Sequence, residues 1–471
     1  MDADAAGQGT DKVRFSKSLS KGEKVSTAFR KEKIKEALDA LGIPYDWGTV
    51  PNIAVMGSGG GLRATIALCG TLVELKNQNI LDCIMYLTGV SGSTWCMSSI
   101  CKTENWTERL KELEKHQRET LTESQWNFET AANALMKATN DENYSLTDFW
   151  SYFIVYQLLN EFDESTLPEQ RRSSENGKNP YPIYAALNIK SYEENLPGTW
   201  FEFTPHEVGI PDLGAYIDTK YFGSVFENGQ MIEEKEEKNI SYLQGIWGSA
   251  FGSKKDLKKQ LYDYLRSFQV RMAAYSGFFH LFHRLYHVVM KTSACIFQWK
   301  WGTTNNFLYK CCGEEVDNLS SERTLSLIDP GMDINIAYPL ILRPERNVKL
   351  ILSFDFSSGN PFETVEKAAD HCAKHGIRFP KIDGIKPEDK KNPSGCYIFR
   401  GRDAPTVMHF PLFNKENCLD KIEEYRIQFV TLKMKYTNGE IEKLLAAAKK
   451  NVVNAQQKIW EEIGRAVAPS P

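Results

Sequence analysis

A serine between two close glycines, in Gly89-Val90-Ser91-Gly92-Ser93, is the first arrangement in the chain that could do chemistry. The G-x-S-x-G spacing lets the serine sit on a sharp turn between a strand and a helix, where a side chain at either glycine would clash. A helix starting there points free backbone amides at the turn. Taken alone the pentapeptide leaves two readings open, a nucleophilic Ser91 and a plain Gly/Ser turn. A second run, Gly57-Ser58-Gly59-Gly60-Gly61-Leu62-Arg63, lets consecutive amides converge on an anion with no side chains in the way. It lacks the lysine of a G-x-x-x-x-G-K-[ST] phosphate loop, and its spacing fails G-x-G-x-x-G. What remains is an oxyanion hole, with the amides of Gly60 and Gly61 meeting the negative oxygen of an acyl-transfer intermediate. One such donor typically lowers a barrier by roughly 3–4 kcal/mol.

A serine nucleophile needs a base. The eight histidines offer none in a convincing strand-end loop. His283 and His287, and again His371 and His375, are spaced i, i+4 with no ligand set around them, so they read as helix packing and no metal site is expected. Leu327-Ile328-Asp329-Pro330-Gly331 places an acid just past an apolar strand and just before a glycine turn. The end of a parallel strand is where open α/β sheets put their sites. A lone aspartate there is ordinarily a turn former. Beside the other two motifs it reads as a carboxylate acting directly on the Ser91 hydroxyl.

These residues need elements to hold them. A helix is expected over 27–41, stopped by Gly42 and Pro44. Strands are expected at 52–56 and 84–88, each running through one of the glycine motifs into a helix, over 62–78 and to about 101. Strand–turn–helix twice over is the grammar of an α/β sheet. Residues 325–328 and 349–353 are strand-like, 177–215 read as loops with short strands, and 438–467 form an amphipathic helix on Ile441, Leu444, Leu445, Val452 and Ile459.

Composition narrows the class. The 471 residues allow about three units at roughly 150 residues each, or one large domain with insertions. With 42% apolar and 25% charged residues the chain is ordinary for a globular protein, and its net charge of -4 argues against a nucleic-acid partner. No apolar run is long enough for a transmembrane helix, and the start lacks a secretory core. Ten scattered cysteines with no C-x-x-C pair fit a reducing compartment. Residues 1–25 read as a mobile arm, and 12–35 hold nine Lys or Arg against Glu23 and Glu32. That stretch is a solvated tail running into a helix or an electrostatic contact with anionic lipid. Residues 254–300 carry nine Lys or Arg against two Asp with many aromatics, and 273–290 has the look of an interfacial helix.

Glycine loop, serine and aspartate occur in the order of the patatin-like Ser–Asp lipases, and the wording around them resembles the cytosolic phospholipase A2 family. The stretches are 56–64, 89–95, Trp301-Gly-Thr-Thr-Asn-Asn-Phe307, Tyr338-Pro-Leu-Ile-Leu-Arg-Pro344 and Leu352-Ser-Phe-Asp-Phe356. Residues 143–150 and 199–205 look most like the gamma branch. The resemblance covers about 30–455. It implies an α/β fold of the patatin-like type, with a mixed central sheet, helices on both faces and a helical cap insertion. It divides the chain into the arm, a catalytic domain over 26–460 with cap-like insertions at about 103–176 and 254–300, and a tail over 461–471. By position it makes Ser91 the nucleophile, Asp329 the general base, Gly60 and Gly61 the oxyanion hole, and Arg63 and Arg346 the groups for the lipid phosphate.

The implied function is a phospholipase A2 and lysophospholipase with no metal or cofactor, reversibly associated with phospholipid membranes in the cytoplasm. Transacylation follows if a lipid acceptor replaces water. Three departures stand out: no calcium-binding C2 domain before the first strand, no prenylation box after 468, and Pro330 where the family usually has a small residue. Pro330 is the one feature favouring the rival reading, an inactive lipid-binding scaffold that keeps the fold.

Overall fold

The computed structural model describes residues 11–468 except 46, 47, 49, 123–125, 250–253, 276–278, 314, 315 and 432. The chain forms two compact units. One holds Ser18–Glu123, Glu169–Ala185 and Pro330–Pro471; the other holds Met1–Lys17, Ser124–Pro168 and Ala186–Asp329. The division falls inside one eight-residue strand, Tyr181–Asn188.

The unit with the glycine motifs is built on parallel strands. β2 (Asn52–Gly57) lies between β3 (Tyr86–Gly89) and β12 (Val348–Asp355); β3 pairs next with the first half of β4 (Tyr181–Asn188), and β12 with β14 (Thr406–Pro411). β13 (Tyr397–Phe399) closes the order, antiparallel to β14. Ile53, Ala54, Val55 and Met56 are all fully buried, the unbroken apolar run of a strand covered on both faces. Register pairs Gly57 with Gly89 and with Phe354, so the strands end level at their C-terminal edge. From that edge start α2 (Gly61–Asn77) and α3 (Gly92–Ile100). α2 is buried over nearly its whole circumference, and the 30-residue C-terminal helix Asn438–Val467 packs along it. The five apolar residues expected to face inward on that last helix all do.

The other unit is largely antiparallel. Its strand order runs β1 (Arg14–Phe15), β7 (Ala215–Asp218), β6 (Glu207–Ile210), β5 (Trp200–Phe203) and the second half of β4. β8 (Val225–Glu227) and β9 (Gln230–Glu233) form a separate hairpin. β11 (Thr324–Ile328) lies antiparallel to β4 and to β10 (Thr303–Asn305). Phe149, Phe153 and Phe268 form an aromatic core with ring centroids 5.2 to 6.0 Å apart.

Four expectations change. The stretch 11–25 is structured rather than a mobile arm, and residues 1–10 lie outside the described residues. Arg14 is held by a two-point contact to Glu207 at 2.7 Å, and Ser20 caps a helix that begins at Lys21, six residues earlier than expected. That helix, α1 (Lys21–Leu41), ends on left-handed Gly42 as expected. Residues 181–188 are a full buried strand, which Pro182 and the surrounding loop-rich composition disguise. The insertion expected over 103–176 is divided. Its helix α4 (Trp106–Thr120) packs on α2, with Gln117 Nε2 donating to Thr65 O, while Ser124–Pro168 belongs to the other unit. Residues 273–290 are not one helix: one helix ends at Tyr275, another spans Phe279–Gln298, and 276–278 lie outside the described residues.

Gly70 marks a close approach between α2 and the last helix. A Cβ there would stand 3.1 Å from Leu445 O and 3.3 Å from Leu445 Cα, both backbone atoms. Gly70→Val should therefore destabilise the protein by about 1–3 kcal/mol through overpacking. Urea denaturation checks this, and an unchanged midpoint would refute it.

Candidate active site

Gly57 ends β2 and Gly89 ends β3, so the two motifs leave the sheet side by side. The chain then makes a tight strand–helix turn at Ser91, with φ 52° and ψ −126°, a backbone state that costs a non-glycine residue on the order of 1–3 kcal/mol. Ser91 is 3% exposed. The next residue must be glycine, because a Cβ at Gly92 would stand 1.9 Å from Gly61 O. A Cβ at Gly59 would stand 3.0 Å from Ser91 Cβ, which fixes how close the glycine loop runs to the serine.

Hydroxyls bolt the loops together. Ser93 Oγ donates to Ser58 O at 2.6 Å, Thr65 Oγ1 to Gly92 O at 2.8 Å and Thr94 Oγ1 to Ser91 O at 2.5 Å. Ser58 Oγ accepts from Phe356 N at 2.7 Å. Gly59 N is used by Asn335 O at 3.0 Å, and Asn335 Nδ2 donates back to Gly59 O at 3.3 Å and to Ser357 Oγ at 3.2 Å. Beyond it, Gly60 caps α2 and Gly61 opens it, in left-handed geometry at φ 56° for Gly61. Amides at a helix N-terminus have no acceptor within the helix, an arrangement able to receive an anion.

Arg63 does not present itself to a head group. It is 1% exposed; Nε donates to Phe356 O at 2.5 Å, Nη1 to Phe429 O and Nη2 to Thr431 Oγ1 at 3.2 Å. Its Nη2 lies 2.6 Å from where a Gly60 Cβ would be, so the guanidinium sits directly against the glycine loop. Burial pulls its pKa down to about 10, with Tyr436 and Asp355 opposing, which leaves the group cationic at neutral pH. The expected phosphate ligand is instead a charged clamp behind Gly60.

Arg346 departs further. It is 0% exposed and bidentate to Glu23, at 2.9 and 3.0 Å, with Nη1 donating to Leu340 O at 2.6 Å. The Tyr86 hydroxyl, pushed up by burial first, shares the Glu23 carboxylate. Arg346 precedes β12, whose Val348 pairs with Asn52. That is the N-terminal edge of the parallel strands, opposite to the edge from which Ser91 projects. The expectation of a second phosphate ligand is thus corrected: Arg346 is half of a buried ion pair.

In the other unit, Asp329 follows β11 directly and is 1% exposed. β11 is antiparallel to both neighbours, so the expected parallel strand end does not hold; register pairs Ile328 with Leu187. Pro330 opens a 3-10 turn over Pro330–Met332, a first helical position where a missing N–H costs nothing and a fixed φ fits. The i, i+4 histidines reach no metal arrangement: among the described residues no cluster of three or more His, Cys, Asp or Glu could hold an ion. His283 and His287 are exposed rather than packed. Sequence reasoning missed Asn335, Thr65 and Ser93 as holders of the loops. Only Ser93, inside the serine motif, carried a local signal.

The family profile described as lysophospholipase catalytic domain matches residues 53–370. Cytosolic phospholipase A2 gamma of Homo sapiens is 36% identical over 97% of this chain and 96% of its own length. This chain belongs to the cytosolic phospholipase A2 family. The gamma protein of Mus musculus is 35% identical over 96% of this chain and 92% of that protein. Among solved structures, human GIVD cytosolic phospholipase A2 matches with a TM-score of 0.80 at 25% identity, covering 97% of this chain and 68% of that one. The same human protein in complex with methyl gamma-linolenyl fluorophosphonate matches with a TM-score of 0.76 at 26% identity, over 98% of this chain and 66% of that one. As a family member the chain is an enzyme of the phospholipase class.

The buried pair gives a test of the Arg346 assignment. Arg346→Met should cost about 3–5 kcal/mol by stranding Glu23, and adding Glu23→Met should recover most of it. Chemical denaturation of both variants checks this. A fully stable Arg346→Met would contradict the assignment.

Proposed function

We propose that this cytosolic phospholipase A2 family member hydrolyses acyl esters of glycerophospholipids and lysophospholipids through Ser91 and Asp329, without calcium. The observation that carries the reading is the buried, strained Ser91 turn set against the amide pair of Gly60 and Gly61. Asp329 takes the Ser91 Oγ proton as Oγ attacks the ester carbonyl. The carbonyl electrons move to oxygen, and the oxyanion is received by the Gly60 and Gly61 amides, with the Arg63 charge behind them. The tetrahedral centre collapses, the C–O bond breaks, and the lysolipid alkoxide leaves with the proton held by Asp329. Water, deprotonated by the same carboxylate, then cleaves the acyl-enzyme and frees the fatty acid, and the proton on Asp329 passes to the departing Ser91 Oγ. A lipid hydroxyl in place of water gives transacylation by the same steps. No step calls for a metal ion or cofactor.

The proposed setting is the cytoplasm, with reversible contact to membranes. No helix among the described residues is long and apolar enough to cross a bilayer. The helix Phe279–Gln298 leaves Tyr286, Met290 and Phe297 exposed, Phe297 by 81%, beside exposed Arg284. No carboxylate occurs between Asp263 and Glu314. An aromatic and basic face of this kind suits a lipid interface.

The test is release of fatty acid from phosphatidylcholine and lysophosphatidylcholine with excess EDTA. Wild type should be active, and Ser91→Ala and Asp329→Asn should each lose about 10³-fold or more, as for removal of a nucleophile or its base. Activity retained by Ser91→Ala would end the proposal. Activity abolished by EDTA and restored by calcium would remove its metal-free part.

A further inference from the structure

The stretch 352–356 contains an acid that the proposed chemistry leaves unused. Asp355 is the last residue of β12 and is 1% exposed. Its Oδ1 accepts from Ser357 N at 2.8 Å, an Asx turn that fixes how the chain leaves the strand. The two residues after it hold the glycine loop at three points. Phe356 N donates to Ser58 Oγ at 2.7 Å. Ser357 Oγ accepts from Asn335 Nδ2 at 3.2 Å, and the same amide donates to Gly59 O at 3.3 Å. Phe356 O accepts from Arg63 Nε at 2.5 Å, and that guanidinium lies against Gly60.

Charge converges on the same place. Arg63 gives its donors to two backbone carbonyls and a hydroxyl, all neutral. Tyr436 and Asp355 are the groups whose field favours its charged form. Burial pushes the Tyr436 hydroxyl up, which leaves the Asp355 carboxylate as the counter-charge. The second carboxylate oxygen, Oδ2, is buried and has no hydrogen-bond partner among the described residues. His409 on β14, the buried imidazole that feels the Asp355 field, offers it no proton. Its Nε2 donates to Pro361 O at 2.6 Å and burial lowers its pKa, so Nδ1 is an acceptor. Folding alone does not favour a buried carboxylate oxygen without a donor, and such local conflicts concentrate at the working parts of a fold.

We infer that Asp355 is a positioning residue for the glycine loop, acting through Phe356 and Ser357 on Ser58 and Gly59 and through Arg63 on Gly60. The inference deepens the proposed acyl-ester chemistry and rests on it for the reaction. What Asp355 sets is the place of the Gly60 and Gly61 amides when the oxyanion forms. An interaction realised only then appears in kcat and leaves KM alone.

The experiment is steady-state hydrolysis of a short soluble ester by the full chain, with folding of each variant checked by circular dichroism. Asp355→Ala should lower kcat about 100-fold at unchanged KM, as for a reacting group misplaced by roughly 1 Å. Asp355→Asn keeps an acceptor for Ser357 N. A neutral hydrogen bond is roughly half as strong as a charge-assisted one, so this variant should regain half of the logarithmic loss and stand about tenfold below wild type. Ser357→Ala, which breaks only the Asn335 link, should lose about fivefold in kcat. Wild-type kcat in a folded Asp355→Ala, a loss confined to KM, or an Asp355→Asn as slow as Asp355→Ala would overturn the inference. If Asp355→Ala does not fold, wild-type kcat in both Asp355→Asn and Ser357→Ala would overturn it. If the wild type cleaves no ester, the catalytic reading fails and deuterium exchange of the 57–62 backbone decides separately. Faster exchange there in the folded Asp355 variants supports the positioning role, and unchanged exchange ends it.

Discussion

The site depends on how closely two backbone turns approach. Gly57 and Gly89 are register partners on adjacent parallel strands, and a few residues later Gly92 lies against Gly61 O with no room for a methyl group. From that approach follow the left-handed turn at Ser91, the placement of two helix N-termini at one sheet edge, and the proximity of serine to glycine loop. The strain at Ser91 persists because hydroxyls of Ser58, Thr65, Ser93 and Thr94 hold both sides of it. The loops carry the groups proposed to react, and the sheet register sets their distance.

Buried arginines are the second organising device. Arg30, Arg63 and Arg346 each spend their donors inside the protein, the first two mainly on backbone carbonyls and Arg346 mainly on the Glu23 carboxylate, tying segments far apart in sequence. Burial lowers the pKa of Arg30 and Arg63 to about 10, yet both remain charged at neutral pH. Such groups are hard to replace: a guanidinium supplies five donors in a fixed fork, and lysine does not.

The sequence made the site's local parts legible and its long-range parts not. The strand ends, the serine turn, the stop at Gly42 and the inward face of the last helix are all written within a few residues, as glycines and apolar periodicity. The arginine roles could not be read this way. The partner of Arg63 at Phe356 is 293 residues away, and that of Arg346 at Glu23 is 323. By resemblance alone the two arginines read as ligands of the lipid phosphate; burial and saturation of their donors are tertiary facts. Asn335 escaped for the same reason, since its target, Gly59, is 276 residues earlier. The strand over 181–188 was hidden by Pro182 and its tyrosines, which match loop composition as well as a central strand.

The central claim is that the approach of Gly92 to Gly61 positions Ser91 as the proposed nucleophile. It is tested most directly by fluorophosphonate labelling followed by peptide mass mapping, on the wild type and on Gly92→Ala. The account predicts one adduct, on Ser91, forming rapidly in the wild type and at least tenfold more slowly in Gly92→Ala, with the variant still folded. An adduct on another residue, or undiminished labelling of Ser91 in a folded Gly92→Ala, would contradict it.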